Sequence, residues 1–333
     1  MGQDTFDSLR FSLVNFPDYM GAPVSCEPES RGGFTGRLDF SAGLGECRLD
    51  EIPEAAPLVK KAKRDAGFAI SHVGHWIPAS GTMTAQQAET IVRMLHLWFG
   101  FLRGAWAGPV FPQGLTGSTA VWRQFAAWRI GESPATATWF PRRTPLDLSS
   151  AFRGFSHRWN DPAWQDALNS AVSWFVEANS PGAVPETRIV LAQIALELLA
   201  WVHVVETRSL HSRTDFTRLS AAGRIRILLQ QLGIPSSVPD HLTEIPTFDD
   251  RDAFDGPGVI TAVRNAPVHA TDQKRKLIAK LDGWHRFQCG QIALHYLELA
   301  LLALFGHDGT YARRGWEGWK GEDEVPVPWI GRK

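Results

Sequence analysis

Two hydrophobic textures follow one another along this chain. In residues 1–80, short apolar pieces such as 34–40 and 68–73 are separated by Gly, Pro and Ser, the pattern of brief strands joined by turns. Thr84-Ala85-Gln86-Gln87 then has the spacing of a capping box. It predicts a helix through Ile91, Leu95, Trp98 and Leu102, apolar at helical intervals and ending near Gly104. Residues 121–130 read as a strand with Trp122 and Trp128 on one face and Phe125 on the other. The three prolines of 131–150 predict a loop and a sheet edge.

From Pro162 the period changes from two to 3.6. Residues 163–178 predict a helix with Leu168, Val172 and Phe175 on its inner face. Pro185 opens a second helix over 186–206, apolar on nearly all sides and so expected at the centre. A third spans 216–232 and ends at Gly233, and a loop rich in Pro and Asp runs on to Gly258. A long helix or kinked pair over 273–305 closes at Gly306. Four or five helices with no strand signal predict an α-bundle. The expected fold is therefore an α+β N-terminal domain over 1–155, an all-α bundle over 156–312 and a polar tail over 313–333. The boundary falls between 145 and 162, and 333 residues are ample for two cores.

Composition narrows the function classes. The net charge is −1, so no global field draws the chain onto nucleic acid, and any RNA contact must come from a local patch. Cys26, Cys47 and Cys289 are too few and too scattered for a disulfide framework or a zinc cluster, and read as reduced thiols of a cytoplasmic protein. The polar opening, with Asp4 and Asp7, is not that of a signal peptide. The apolar stretches 189–205 and 292–305 are broken by Gln193, Glu197 and His203, and by His295 and Glu298. Both fall short of the roughly 20 apolar residues of a membrane span, so a soluble protein without a membrane partner is expected. Most of the 14 tryptophans, such as Trp98, Trp128, Trp174 and Trp201, fall at core positions, whereas Trp316, Trp319 and Trp329 are expected to anchor the tail. His72 and His75 lack a third ligand nearby, so no metal is predicted. No Gly-rich phosphate loop and no nucleophile elbow occurs, and no cofactor is expected.

The candidate chemistry lies in Arg264-Asn265-Ala266-Pro267-Val268-His269. Cleaving RNA without a metal requires a base for the 2′-hydroxyl, an acid for the leaving 5′-oxygen and a fixed cation for the phosphorane. His269 can be base or acid, because imidazole titrates near neutrality. Arg264 offers a planar fork of donors that matches phosphate oxygens. Asn265 can orient the imidazole or hold an oxygen. On an ideal helix positions 264 and 269 lie about 140° apart, and Pro267 cannot donate to the carbonyl of Val263. An undisturbed helix is therefore not expected through the motif. Arg264 and His269 converge if the backbone bends, or if two copies of the motif meet across a dimer, which also supplies the second proton-transfer group. Glu197, inside the most apolar helix, needs a partner. Arg264, His269, Arg224 and Arg226 are the candidates, and Gln193 lies one turn earlier on the same face. Lys274, Arg275, Lys276 and Lys280 form either a solvated helix face or a track for the RNA backbone towards His269.

Arg264, Asn265 and His269 match the R-x(4–6)-H motif of the HEPN superfamily, often written with Asn, Asp or His directly after the Arg, and residues 160–312 resemble its helical domain. The segment Phe305-Gly306-His307-Asp308-Gly309-Thr310-Tyr311 also resembles the end of the last helix in bacterial members that carry a separate N-terminal domain. The resemblance implies a metal-independent endoribonuclease with a composite site at a two-fold interface, of the kind found in toxin–antitoxin and anti-phage systems. RNA and a second copy of the chain are then the expected partners. The alternative within the same family is a non-catalytic module that binds a nucleotide, RNA or a protein.

Overall fold

Period-two alternation in the first half of the chain becomes an antiparallel sheet. The structure is a computed structural model that describes residues 5–24, 34–53, 55–65, 67–132, 137–145, 148–242, 255–268, 281–315, 319 and 322–330. The chain folds into two compact units, one of residues 1–157 and 309–312, the other of 158–308 and 313–333.

In the first unit, β1 (Thr5–Phe6) pairs with β7 (Met83–Thr84). The main sheet has seven strands: β2 (Ser8–Val14), β3 (Ala22–Val24), β4 (Phe34–Ala42), β5 (Gly45–Glu51), β6 (Ile70–Pro78), β8 (Val110–Thr116) and β9 (Thr119–Arg123). They lie in the order β3-β4-β5-β6-β2-β8-β9, every neighbouring pair antiparallel. Alternation sorts the faces: on β5, Cys47 and Leu49 are buried while Glu46 and Arg48 face out. Helix α1 (Ala55–Asp65) packs on β6. Helix α2 (Ala85–Arg103) follows directly from β7 and begins as the sequence predicts. The Thr84 side chain accepts from the Gln87 amide, and the Gln87 side chain accepts from the Thr84 amide. Gly104, at φ 71°, closes the helix in the left-handed region that glycine adopts without strain. Trp98 and Phe99 of α2 meet Phe11 and Phe40 from the sheet and Phe16 just after β2, with ring centroids 5.7–6.1 Å apart. Phe152 of α3 (Leu148–Trp159) extends this aromatic core at 4.6 Å from Phe40.

The predicted strand over 121–130 is shorter than expected. It ends at Arg123, and beyond that only Ile130 returns to a bridge with Ala107. Trp122 stacks on Phe6 at 5.7 Å, but Phe125 is 88% exposed. With no partner strand on its outer side among the described residues, the chain has nothing to hold the alternation past β9.

The second unit is helical: α4 (Pro162–Asn179), α5 (Pro185–Ala200), a π-helical turn (Trp201–Thr207), α6 (Arg213–Arg218), α7 (Ala221–Gln231), α8 (Gly256–Val268) and α9 (Gly283–Leu304). Leu168, Val172 and Phe175 form the buried face of α4, as the spacing predicts. The apolar α5 touches α4, α7, α8 and α9, which is why its hydrophobic surface runs all round. The predicted helix over 216–232 is two helices. Ser220 breaks it by capping α7, its hydroxyl accepting from the Gly223 amide, a competition with helix continuation that serine wins locally. The predicted helix over 273–305 is described from Gly283 onward, where Asp282 caps it through the His285 amide. The short strands β10 (Thr310–Ala312) and β11 (Glu324–Pro326) belong to the first and second units respectively.

Two helical stretches, Pro185–Thr207 and Gly283–Leu304, have the length and apolar composition of a membrane span. Both are longer than the uninterrupted apolar runs of the sequence, because the polar residues that interrupt them remain helical. Burial accounts for their composition most clearly in Gly283–Leu304, of which 89% is buried inside the protein.

Candidate functional site

Helix α8 carries the first residues of the Arg–Asn motif, and it is fixed at its start. Asp255 stands just before Gly256, its Oδ1 accepting from the Gly258 amide at 3.0 Å. The same carboxylate takes a bidentate pair from Arg226 of α7, at 2.8 and 2.9 Å. Gly256 lets the helix close onto α9, since a Cβ there would lie 2.1 Å from the Tyr296 hydroxyl oxygen. That hydroxyl in turn donates to the carbonyls of Ser236 and Ser237. Val259, Ile260 and Val263 then bury the inner face.

Arg264 and Asn265 follow on the last turns, both half-buried. The Arg264 Nη1 donates to the Asn265 Oδ1 at 3.1 Å, while its Nε is enclosed without a partner among the described residues. The helix runs through Pro267 to Val268, contrary to the expectation of a break within the motif. Pro267 removes only the bond to the Val263 carbonyl, and so near the helix end one lost bond is tolerated. His269 and the basic residues Lys274, Arg275, Lys276 and Lys280 lie outside the described residues.

Glu197 does not serve Arg264. Its Oε2 lies 3.0 Å from Arg224 Nη1 and its Oε1 accepts from Gln193 Nε2 at 2.9 Å. Of the candidate partners among the described residues, Arg224 is the one that pairs with it, and Gln193 joins the pair.

A second polar centre escaped the sequence reading. Arg314, fully buried in what reads as a polar tail, donates to both oxygens of Glu298 on α9 at 2.9 and 2.5 Å, to Asn179 Oδ1 at 2.9 Å and to Gln291 Oε1 at 3.2 Å. Its own carbonyl meets His241 Nε2 at 2.8 Å. Burial, with His241 and Arg314 nearby, lowers the pKa of His295 on the same helix to about 3, so it is neutral at physiological pH. The signal was present in Glu298, a carboxylate in an apolar helix, which needs a partner just as Glu197 does. Nothing local identified Arg314 as that partner. Trp329 does anchor its segment, donating to the His307 carbonyl at 2.7 Å, whereas Trp319 is 82% exposed.

The other reactive side chains are quiet. Burial pushes the Cys289 thiol up to about 12 and that of Cys47 well above its ordinary value, so neither is a thiolate at neutral pH. His72 is enclosed between Phe16 and Tyr19 with its Nδ1 3.0 Å from Ser71 Oγ, and among the described residues no three His, Cys, Asp or Glu side chains cluster as a metal site. In the first unit a cavity of about 180 Å³ lies beside α1, lined by Phe16, Asp18, Glu51, Lys60, Lys63 and Ser71 among others.

Comparison with known proteins gives each half of the chain a counterpart. Residues 161–324 match the YopA C-terminal domain, and residues 1–135 match the YopA central domain. Over 310 residues the chain is 27% identical to the SPbeta prophage-derived uncharacterized protein YopA of Bacillus subtilis (strain 168), covering 92% of this chain and 68% of that protein. No solved structure matches.

Proposed function

We propose that the helical unit is a HEPN-type domain and that the chain is a metal-independent endoribonuclease whose site is completed by a second copy. The state of Arg264 carries this reading. Arg224, Arg226, Arg286 and Arg314 are each committed to a carboxylate within the bundle. Arg264 has no carboxylate among the described residues and is held only by the neutral amide of Asn265. A half-buried guanidinium with no carboxylate among the described residues, at the end of a well-anchored helix, is ready to receive an anionic group, and its planar donors fit phosphate oxygens.

His269 is the proposed base and acid, and the basic residues Lys274, Arg275, Lys276 and Lys280 would carry the RNA backbone towards it. One such histidine per chain leaves one proton transfer unfilled, and a two-fold dimer would fill it. The B. subtilis relative is prophage-derived. By analogy, the proposed setting is the cytoplasm of a phage-bearing bacterium, in the role of a toxin or anti-phage effector.

The test is cleavage of single-stranded RNA by the purified protein in EDTA. We expect products with cyclic-phosphate ends, and loss of cleavage in both Arg264→Ala and His269→Ala. Cleavage that survives both substitutions would sink the mechanism.

A further inference from the structure

We propose that the π-helical turn at Trp201–Thr207 forms a second anion site, separate from Arg264, in which His203, Arg208 and Arg158 take a phosphoryl group.

The backbone sets up the geometry. Residues five apart are about 140° apart on an α-helix and do not share a face. After Ala200 the helix widens, and the Arg208 amide donates to the His203 carbonyl at 2.9 Å, the i to i+5 bond of a π-turn. Residues 203 and 208 are thereby joined through the backbone across one turn. The sequence contains two Arg/His pairs at this spacing, and this one spans the π-turn. Such turns occur at helix C-termini and are frequent at functional sites.

The second cation comes from the segment before α4. The Arg158 guanidinium lies 4.5 Å over the ring of Trp164, and its Nε donates to the Leu304 carbonyl at 2.6 Å. Trp164 is buried, and its ring centroid lies 6.3 Å from that of His203. Arg158 is thus immobilised without a carboxylate hydrogen-bonded to it among the described residues. Asp161, the N-cap of α4, is the carboxylate that acts on it electrostatically. Arg208 is exposed and forms no ion pair among the described residues.

The imidazole completes the set. His203 Nδ1 is enclosed without a partner, so the ring offers Nε2 as its working atom. Burial, and then the charges of Arg158 and Arg208, lower its pKa to about 4. At neutral pH it is an uncharged ring on which two cations act, a concentration of positive potential that an oxyanion would relieve. A phosphoryl group suits this arrangement: one guanidinium is fixed, the second is exposed, and the imidazole supplies a neutral N–H donor. The group can come from a mononucleotide or from an RNA backbone, and the inference does not depend on the catalytic reading of Arg264.

Imidazole NMR of the full chain tests this, with inorganic phosphate, a nucleoside 5′-monophosphate and a short single-stranded RNA as three separate probes. The expected result is a saturable shift of the His203 resonances and a rise of its pKa on binding, with affinity falling about tenfold or more in Arg208→Gln. Saturation by the mononucleotide but not the oligomer assigns a small ligand, and the reverse assigns the RNA backbone. Because Arg158 also packs the bundle, Arg158→Lys is read only alongside an unchanged thermal midpoint, and it should weaken binding without removing it. No shift of His203 with any of the three probes, or an undiminished shift in Arg208→Gln, overturns the proposal. Loss of RNA cleavage with this binding intact would fall on Arg264 and His269 instead.

Discussion

At the scale of single residues, this bundle is organised by its arginines and by which of them are neutralised. Arg314 is the most committed. Replacing it with Met leaves Glu298 buried without its counter-charge, and the expected loss of stability is about 3–5 kcal/mol. The double variant Arg314→Met with Glu298→Met should recover much of that loss, because no charge is then stranded. Denaturant unfolding of the three proteins measures it, and a double variant no better than the single one would show that packing rather than charge dominates. Buried histidines give a pH signature. Burial brings His72 and His295 down to about 3 from an ordinary value near 6.5. Between those limits the unfolded chain binds more protons than the folded one, so stability falls as pH drops from about 6.5 towards 3. His72→Phe should flatten the stability–pH slope in that window, and an unchanged slope would exclude His72 as a source. Glu197 was legible as a residue in need of a partner, and its partner was among those the spacing allowed. Arg314 was not legible, because its three side-chain partners, Asn179, Gln291 and Glu298, come from α4 and α9 and no local pattern joins them.

Elements were legible where a local signal and a buried face agreed. Helix α2 has both, and the capping pair Thr84 and Gln87 sits where the sequence indicates. Thr84→Ala should cost about 1 kcal/mol, read as a lower thermal midpoint without change of fold. Helix α4 was legible for the same reason. The π-turn was not, since 201–207 has the composition of an ordinary helix and its widening depends on tertiary surroundings. The split between α6 and α7 was written in Ser220 but was outweighed by the apolar period on either side. Helix α8 continues through Pro267, because a missing donor matters little in the last turn. Its position rests on Gly256 against Tyr296, where an added methyl meets the phenol. Gly256→Ala should therefore cost about 1–3 kcal/mol and impair any activity that depends on Arg264, whereas Gly283→Ala, in open space, should do neither. Equal effects of the two would remove the close approach to Tyr296 as the explanation.

On the scale of the whole molecule, the change of hydrophobic period near residue 160 separates a sheet-based unit from a helical one, and the match to the YopA C-terminal domain begins there, at residue 161. The sequence revealed that division because period two and period 3.6 require different neighbours. It did not reveal strand order, which depends on pairings far apart in sequence. The proposed chemistry also belongs to this scale, for Arg264 and His269 lie five residues apart and a single copy supplies one histidine. The most direct test is RNA cleavage in EDTA over a range of protein concentrations spanning monomer and dimer, with the oligomeric state measured in the same samples by sedimentation. A composite site predicts cleavage that rises with the dimer fraction and disappears in His269→Ala. Intact RNA at concentrations where the protein is fully dimeric, or cleavage at the same specific rate by the monomer, would contradict it.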